Sequence, residues 1–330
     1  MMDRRGFIAG AAALAASPLA CASAPRVRPV TRPDPACFNA CGPGPRHSLS
    51  ILTWNVFMMP PWVGESPRNE PRASSIAAAL LERDFDILCL QKVFDDSARE
   101  ILQAALAARY PYRYGPANNG WSLKLNSGVW VLSRHPLADY QEITFSDCAN
   151  VECLSRKGAV LLSGTCGRTP FRLVTTHLQG EEGPTFTEKH QRIRDQQMSE
   201  MQRTLIAPHL EAGVPYLVCG DLGTPRFADT GGGETPAYQR MLSAFGATNG
   251  PEPHITLDDS LQHNQLARDR TGRRNELDYI LLRANGCPIV AERATHVFKR
   301  SGWDSSSPGR SDLSYRYGLS ARLTFGASET

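Results

Sequence analysis

A chain of 330 residues with 41% hydrophobic content can bury one large core or two modest ones. Its net charge of +3 is ordinary, and the basic excess is spread along the chain, so composition makes no case for nucleic-acid binding. The one local basic cluster, Arg268, Arg270, Arg273 and Arg274 around Gly272, reads as a solvated loop.

The N-terminus opens Met1-Met2-Asp3-Arg4-Arg5-Gly6-Phe7-Ile8, followed by an Ala-rich apolar run from Ala9 to Ala16. A positive start, a short apolar run and small residues beyond it predict an export signal over residues 1–24, of the twin-arginine type. Cleavage after Ala22 or after Ala24 fits the small-x-small pattern, and lipidation of Cys21 is the competing outcome. The expected location is therefore periplasmic or secreted, with or without a lipid anchor. The apolar run is too short to span a bilayer.

Residues 25–47 carry Pro25, Pro29, Pro33, Pro35, Pro43 and Pro45, a density that predicts an extended tether. Of nine cysteines, Cys37 and Cys41, and Cys148 and Cys153, are close neighbours in polar stretches. Either pair can close a small disulfide in an oxidising compartment. Cys89 and Cys219 sit in apolar runs and read as buried thiols; Cys166 and Cys287 take no assignment. No cysteine or histidine spacing suggests zinc.

From residue 48 to 326 strands and helices mix with no second linker, which predicts one domain and a monomer. Ile51-Leu52-Thr53-Trp54-Asn55-Val56 reads as a strand, Arg72 to Arg83 as a helix, and Phe85 to Leu90 as a buried strand. Ser97 with Glu100 predicts the capping box of the next helix, which Tyr110-Pro111 ends. Strand-like runs come next at 128–133, 159–164, 171–176, 216–219, 277–282 and 317–325, with a polar helix over about 187–205. The mixture points to an α/β sandwich, with helices outside packed sheets.

Ordered short motifs run through these elements: Thr53-Trp54-Asn55-Val56, Leu88-Cys89-Leu90-Gln91, Gly128-Val129, Arg156-Lys157-Gly158, Thr175-Thr176-His177-Leu178-Gln179, Gly220-Asp221-Leu222, Leu277-Asp278-Tyr279-Ile280-Leu281 and Ser311-Asp312. In that order the chain resembles the endonuclease/exonuclease/phosphatase superfamily, and within it the bacterial neutral sphingomyelinase-like branch, over about residues 50–325. The resemblance implies a four-layer α/β sandwich of two mixed sheets flanked by helices. It also implies a magnesium ion that polarises a phosphodiester while water attacks in line.

Carried over by motif, Asn55 would hold the metal or phosphate side, His177 would donate to phosphoryl oxygens, and Asp221 would orient the water. Asp278 would orient the histidine of the final motif, and Asp312 would lie beside metal and phosphate. Taken singly, each has a plainer reading: a turn-forming Asn55, a core His177, a capping Asp221.

Three positions depart from the pattern. Lys92 stands where the resemblance implies a metal-binding glutamate, Gly223 where it implies an asparagine, and Leu313 where it implies a histidine. A protonated lysine has donors only and cannot ligate a cation. Glutamate with magnesium sums to +1, as lysine does alone, so Lys92 is expected to take the cation's place and pair with Asp221, Asp312 or Asn55. Gly223 removes a donor and loosens its loop, and Leu313 cannot move a proton, leaving Asp278 no imidazole to orient.

The expectation is an inactive or severely impaired sphingomyelinase-like protein, with no metal or other cofactor, that binds a phosphodiester or phospholipid headgroup. The second reading is a magnesium-dependent phosphodiesterase using substitute ligands. For that role Glu181 and Glu182 are near His177 but out of chain position. Apolar residues near Trp62 and Trp121 suggest peripheral membrane contact, against plain packing over the sandwich edge.

Overall fold

Alternation along β1 (His47–Met58) decides the layering. Leu49 and Ile51 point to one side and Leu52, Trp54 and Val56 to the other, and both sides are buried. A strand apolar on both faces belongs at the centre of a layered fold.

The structure, a computed structural model, describes residues 47–63, 68–183, 185–228 and 232–326. The expected export signal, Cys21, the Pro-rich tether and the Cys37–Cys41 pair lie outside the described residues. The strands after β1 are β2 (Ile87–Val93), β3 (Tyr112–Tyr114), β4 (Trp130–Ser133), β5 (Ala138–Thr144), β6 (Gly158–Cys166), β7 (Thr169–His177), β8 (Tyr216–Asp221), β9 (Leu257–Asp258), β10 (Arg274–Asn275), β11 (Asp278–Arg283), β12 (Ile289–His296) and β13 (Gly318–Phe325). The helices are α1 (Asn69–Leu81), α2 (Asp96–Leu106), α3 (Glu188–Met201) and α4 (Pro236–Phe245).

Two mixed sheets pack face to face. A six-stranded sheet runs β12-β13-β1-β2-β4-β3 and a five-stranded sheet runs β11-β8-β7-β6-β5. Each contains one parallel pair, β1 with β2 and β7 with β8. Between the sheets lie Ile51, Cys89, Val131, Leu162, Leu173, Leu217, Cys219, Ile280 and Leu323. Outside the larger sheet Leu52, Trp54, Leu88 and Leu132 pack on Ile76, Leu80, Leu102 and Leu106 of α1 and α2. Outside the smaller one Leu161, Val174, Val218 and Leu281 pack on Met198, Met201, Met241 and Phe245 of α3 and α4. The four layers expected from the resemblance are these.

Local details differ from expectation for physical reasons. Helix α2 starts at Asp96, not at a Ser97 cap. The Asp95 carboxylate accepts the Ala98 N–H at 3.0 Å and the Asn69 side-chain amide at 2.7 Å, so the cap also ties α2 to α1. Ser97 already lies inside the first turn, so it cannot take the cap position. Helix α1 begins earlier than Arg72, which is wholly buried and gives its guanidinium to the carbonyls of Val56, Phe57 and Leu313. Cys148 and Cys153 form a disulfide, while Cys89, Cys166, Cys219 and Cys287 are buried free thiols.

Candidate functional site

The parallel pairs set the site. Their carboxyl ends, Asn55 and Lys92 from one sheet and His177 and Asp221 from the other, converge at one edge of the sandwich. A cavity of about 520 Å³ opens there, with Lys92, Lys157, His177, Asp221, Tyr315 and Arg316 on its wall.

Strand register brings the acids together. His177 is paired with Asp221 across β7 and β8, and Asp221 with Asp278 across β8 and β11. All three side chains are buried. Asn55 donates its amide to Asp221 Oδ2 at 2.8 Å and to the Tyr315 hydroxyl at 3.3 Å. The imidazole Nε2 of His177 stands 4.0 Å from Asp221 Oδ2 and 3.2 Å from Lys157 Nζ. Thus Asn55, His177, Asp221 and Asp278, expected together from their motifs, are brought together.

Asp312 is not among them. It pairs with Lys299 at 3.2 Å and accepts the Gln265 N–H at 3.0 Å, and it takes no part in the cavity wall. Leu313 is fully buried with Trp54, Phe298 and Trp303 in the layer under α1. The expectation that Asp312 flanks the site, and that Leu313 stands at a catalytic corner, is corrected by this placement.

The side chain that meets Asp278 is Arg316, three residues beyond Leu313. Its Nη1 lies 3.0 Å from Asp278 Oδ2 and its Nη2 3.2 Å from Asp221 Oδ2. A planar, forked guanidinium can span two carboxylates at once, which a lysine cannot. Asp278 therefore does have a partner. Burial lowers the proton affinity of Arg316, but the Asp221 and Asp278 charges more than reverse this and raise it. Burial, then the neighbouring Asp221, pushes the Asp278 carboxyl up to about 7. The sequence signal for Arg316 is a cation two residues ahead of the last apolar strand, a position fixed by strand phase rather than by a Ser-Asp pair.

The expected pairing of Lys92 with the acids is corrected too. The register of β1 and β2 shifts between Asn55 and Met58, and Lys92 takes a positive φ of 55° at that irregularity. The turn aims its side chain into the cavity. Its ammonium lies 5.3 Å and 5.5 Å from the ring centroids of Phe57 and Tyr315. Neither Asp221, Asp312 nor Asn55 is its partner, because Arg316 already holds Asp221.

Gly223 is not loose. Its φ is +60°, a β-carbon there would stand 2.9 Å from the Gln179 carbonyl oxygen, and its N–H donates to Asp221 Oδ1 at 3.2 Å.

Sequence motifs assign no role to two further features of the site. Lys157 is buried, donates to the Leu178 carbonyl at 2.6 Å and is ion-paired with Glu152. Burial, then the Lys92 charge, holds its ammonium well below the usual lysine range. Burial, then the Lys157, Lys92 and Arg316 charges, also drives His177 far down, so the imidazole is neutral at pH 7. The second feature is the basic segment read as a solvated loop, which folds over the cavity between β9 and β10. Arg268 stacks on Phe57 and Tyr315, and Arg273 on Phe186. Asp259 organises that loop by accepting the N–H groups of Asp269 and Thr271.

Two glutamates on the wall are engaged. Glu181 accepts from Arg194 at 2.8 Å and lies 2.6 Å from His190, and Glu182 accepts from the Asn150 amide at 2.7 Å and the Val151 N–H. Among the described residues no three His, Cys, Asp or Glu side chains are grouped as a metal site.

The chain matches the model of the Endonuclease/Exonuclease/phosphatase family over residues 52–298. It is 25% identical over 289 residues to Sphingomyelinase C 2 of Leptospira interrogans, covering 82% of this chain and 45% of that protein. A second Leptospira interrogans sphingomyelinase C is covered over 41% of its length, so the chain spans under half of these relatives. The crystal structure of sphingomyelinase C from Streptomyces griseocarneus superposes with a TM-score of 0.68 at 26% identity, over 83% of this chain and 99% of that one. A Staphylococcus aureus beta toxin mutant with bound magnesium ions shares the fold with a TM-score of 0.71 at 19% identity, over 83% and 99%.

The raised carboxyl of Asp278 makes a pH prediction. A carboxyl whose folded value lies near 7 against an ordinary 3.8 contributes stability that is full below about 3.8 and lost as pH rises through about 7. Urea unfolding of the wild type should therefore show stability falling between about pH 4 and pH 7. The Asp278→Asn variant should lack that component of the slope.

Proposed function

The chain belongs to the Endonuclease/Exonuclease/phosphatase family, and on that premise we propose that it binds a phosphodiester headgroup at the strand ends without metal-dependent hydrolysis. The observation that carries this reading is the Arg316 bridge, which takes up both strand-end carboxylates. A hard dication needs free oxygen ligands. Here Asp221 already accepts from Arg316, Asn55 and Gly223, and a magnesium ion would face Lys92, Lys157 and Arg316. The residues present do not fit that ion.

They fit an anion better. Lys92 is an ammonium held on the wall by aromatic faces rather than by an acid, so its charge is available to a phosphate oxygen. Neutral His177 adds no charge of its own, and its Nε2 accepts from the Lys157 ammonium at 3.2 Å, which holds that cation at the cavity. Arg316, which stays protonated, holds the place beside Asp278 that the resemblance gives to an imidazole, and it cannot hand a proton to a leaving group. A phosphodiesterase with substitute ligands is the competing reading, and the engaged states of Glu152, Glu181 and Glu182 speak against it.

Apolar side chains rim the cavity. Trp62 and Val151 are exposed and line its mouth, Leu154 does likewise, and Trp121 and Leu123 are almost fully exposed on the loop that Leu125 and Arg156 fasten beside them. Such a rim suits a lipid surface better than water. With the twin-arginine-type start and the Cys148–Cys153 disulfide, it supports an exported protein working at a membrane face.

Calorimetry with glycerophosphocholine in EDTA should show binding that added magnesium leaves unchanged, and sphingomyelin should not be turned over. Magnesium-dependent turnover would restore the competing reading. Exchanging Lys92→Glu together with Arg316→His should create magnesium binding absent from the wild type. In a separate measurement, Trp121→Ala should weaken sedimentation with sphingomyelin–phosphatidylcholine vesicles by about tenfold, as expected when a large apolar side chain no longer leaves water. Unchanged sedimentation would remove the rim from the account.

A further inference from the structure

Glu152 reaches the cavity from outside both sheets. It lies on a single turn, Asn150–Leu154, that the Cys148–Cys153 disulfide closes at its flanks. The base of that strap is fixed: the Ala149 N–H donates to Gln179 at 3.0 Å, and Gln197 donates to the Asp147 carbonyl at 2.9 Å. From there the Glu152 carboxylate extends inward, pairs with the buried Lys157 ammonium and accepts the Gly180 N–H at 3.0 Å. A β-carbon at Gly180 would stand 3.3 Å from the same carboxylate, so the glycine leaves the approach open.

These donors are what an oxyanion uses. One ammonium and one backbone N–H converge on a carboxylate oxygen, with His177 Nε2 3.2 Å from the same ammonium. The other glutamates on the wall are held differently. Glu181 is fixed by Arg194 and His190 of α3, and Glu182 by the strap's own Asn150 and Val151. Lys157 is thus the buried cation whose acidic partner comes from a short surface turn. Rotation of the Glu152 side chain alone would uncover it, with the strap left in place.

We propose that Lys157 and the Gly180 N–H form an oxyanion subsite which Glu152 fills with its own carboxylate, and that a phosphoryl oxygen enters by displacing it. The proposal rests on the headgroup reading above and adds a gate to it. Ligand binding then competes with an internal anion, and affinity depends on what residue 152 offers in its place. A neutral amide competes less well for an ammonium than a carboxylate does. A shorter acid keeps the charge but cannot span the distance.

The test is calorimetry in EDTA on the full protein, with inorganic phosphate and glycerophosphocholine as separate probes. Glu152→Gln and Glu152→Asp should each tighten phosphate binding by about tenfold, which is 1.4 kcal/mol. Lys157→Met should abolish that gain in the Glu152→Gln background. Melting curves identify any variant that fails to fold, and the two substitutions at 152 check one another. Phosphate affinity unchanged or weakened in both would overturn the gate. If the wild type still binds glycerophosphocholine in that case, the headgroup reading survives. Binding of neither probe by any variant would overturn both.

Discussion

Two carboxylates meet in register at the ends of β8 and β11, buried and within reach of one another, and the rest of the site is arranged around what compensates them. Like charges taken out of water need a cation, a proton or separation. This chain supplies the cation from its own sequence. Arg316 is set in place by a short chain of polar contacts: its carbonyl accepts the Trp54 indole N–H at 2.9 Å, and its N–H reaches the Ser314 hydroxyl, which donates to the Asn55 carbonyl. A charge pair that a diffusible ion would leave conditional on concentration becomes part of the fold. Burial first, and then the Asp221 charge, keep the Asp278 carboxyl raised even with the guanidinium opposing them.

The apolar framework is legible in the sequence because it obeys simple periods. The apolar runs 51–56 and 85–90, read as strands, lie in β1 and β2 of the larger sheet, and Cys89 and Cys219 are buried thiols as their apolar settings imply. The capping box read at Ser97 and Glu100 misplaces the helix start because Asp95, itself a good capping residue, comes first in the chain. Site residues on strand ends, Asn55, His177, Asp221 and Asp278, are legible only through the ordered motifs of the family resemblance, and strand register then brings them to one edge. Positions reached through a long loop are not. Residues 297–317 between β12 and β13 contain a Ser-Asp pair in the expected order, but loop length decides which side chain arrives at the cavity. Arg316 arrives, while Asp312 stops at Lys299. Glu152 has no sequence signature at all, because its role depends on a turn packed from a distant part of the surface.

The electrostatic character of the cavity comes from depth. Cations at the wall, Lys92, Lys157 and Arg316, are buried, and with that burial their charges keep His177 neutral. Each has a different counterweight: aromatic faces for Lys92, a surface-turn carboxylate for Lys157, and the strand-end pair for Arg316. These counterweights differ in strength and reach. A single incoming anion would therefore meet three cations with unequal claims already on them, which favours a defined orientation over diffuse attraction.

The irregularity between β1 and β2 carries a consequence for how such a protein changes over time. The left-handed backbone at residue 92 belongs to the strand shift and not to the side chain that happens to occupy it. A side chain placed there is delivered to the cavity in the same direction, and unbranched L residues such as lysine or glutamate bear a similar conformational cost. The sign of the charge at that corner can therefore be inverted by one substitution without renegotiating the packing of either sheet. Architecture and chemistry are written at separate addresses in this chain, and a lineage can revise the second while conserving the first.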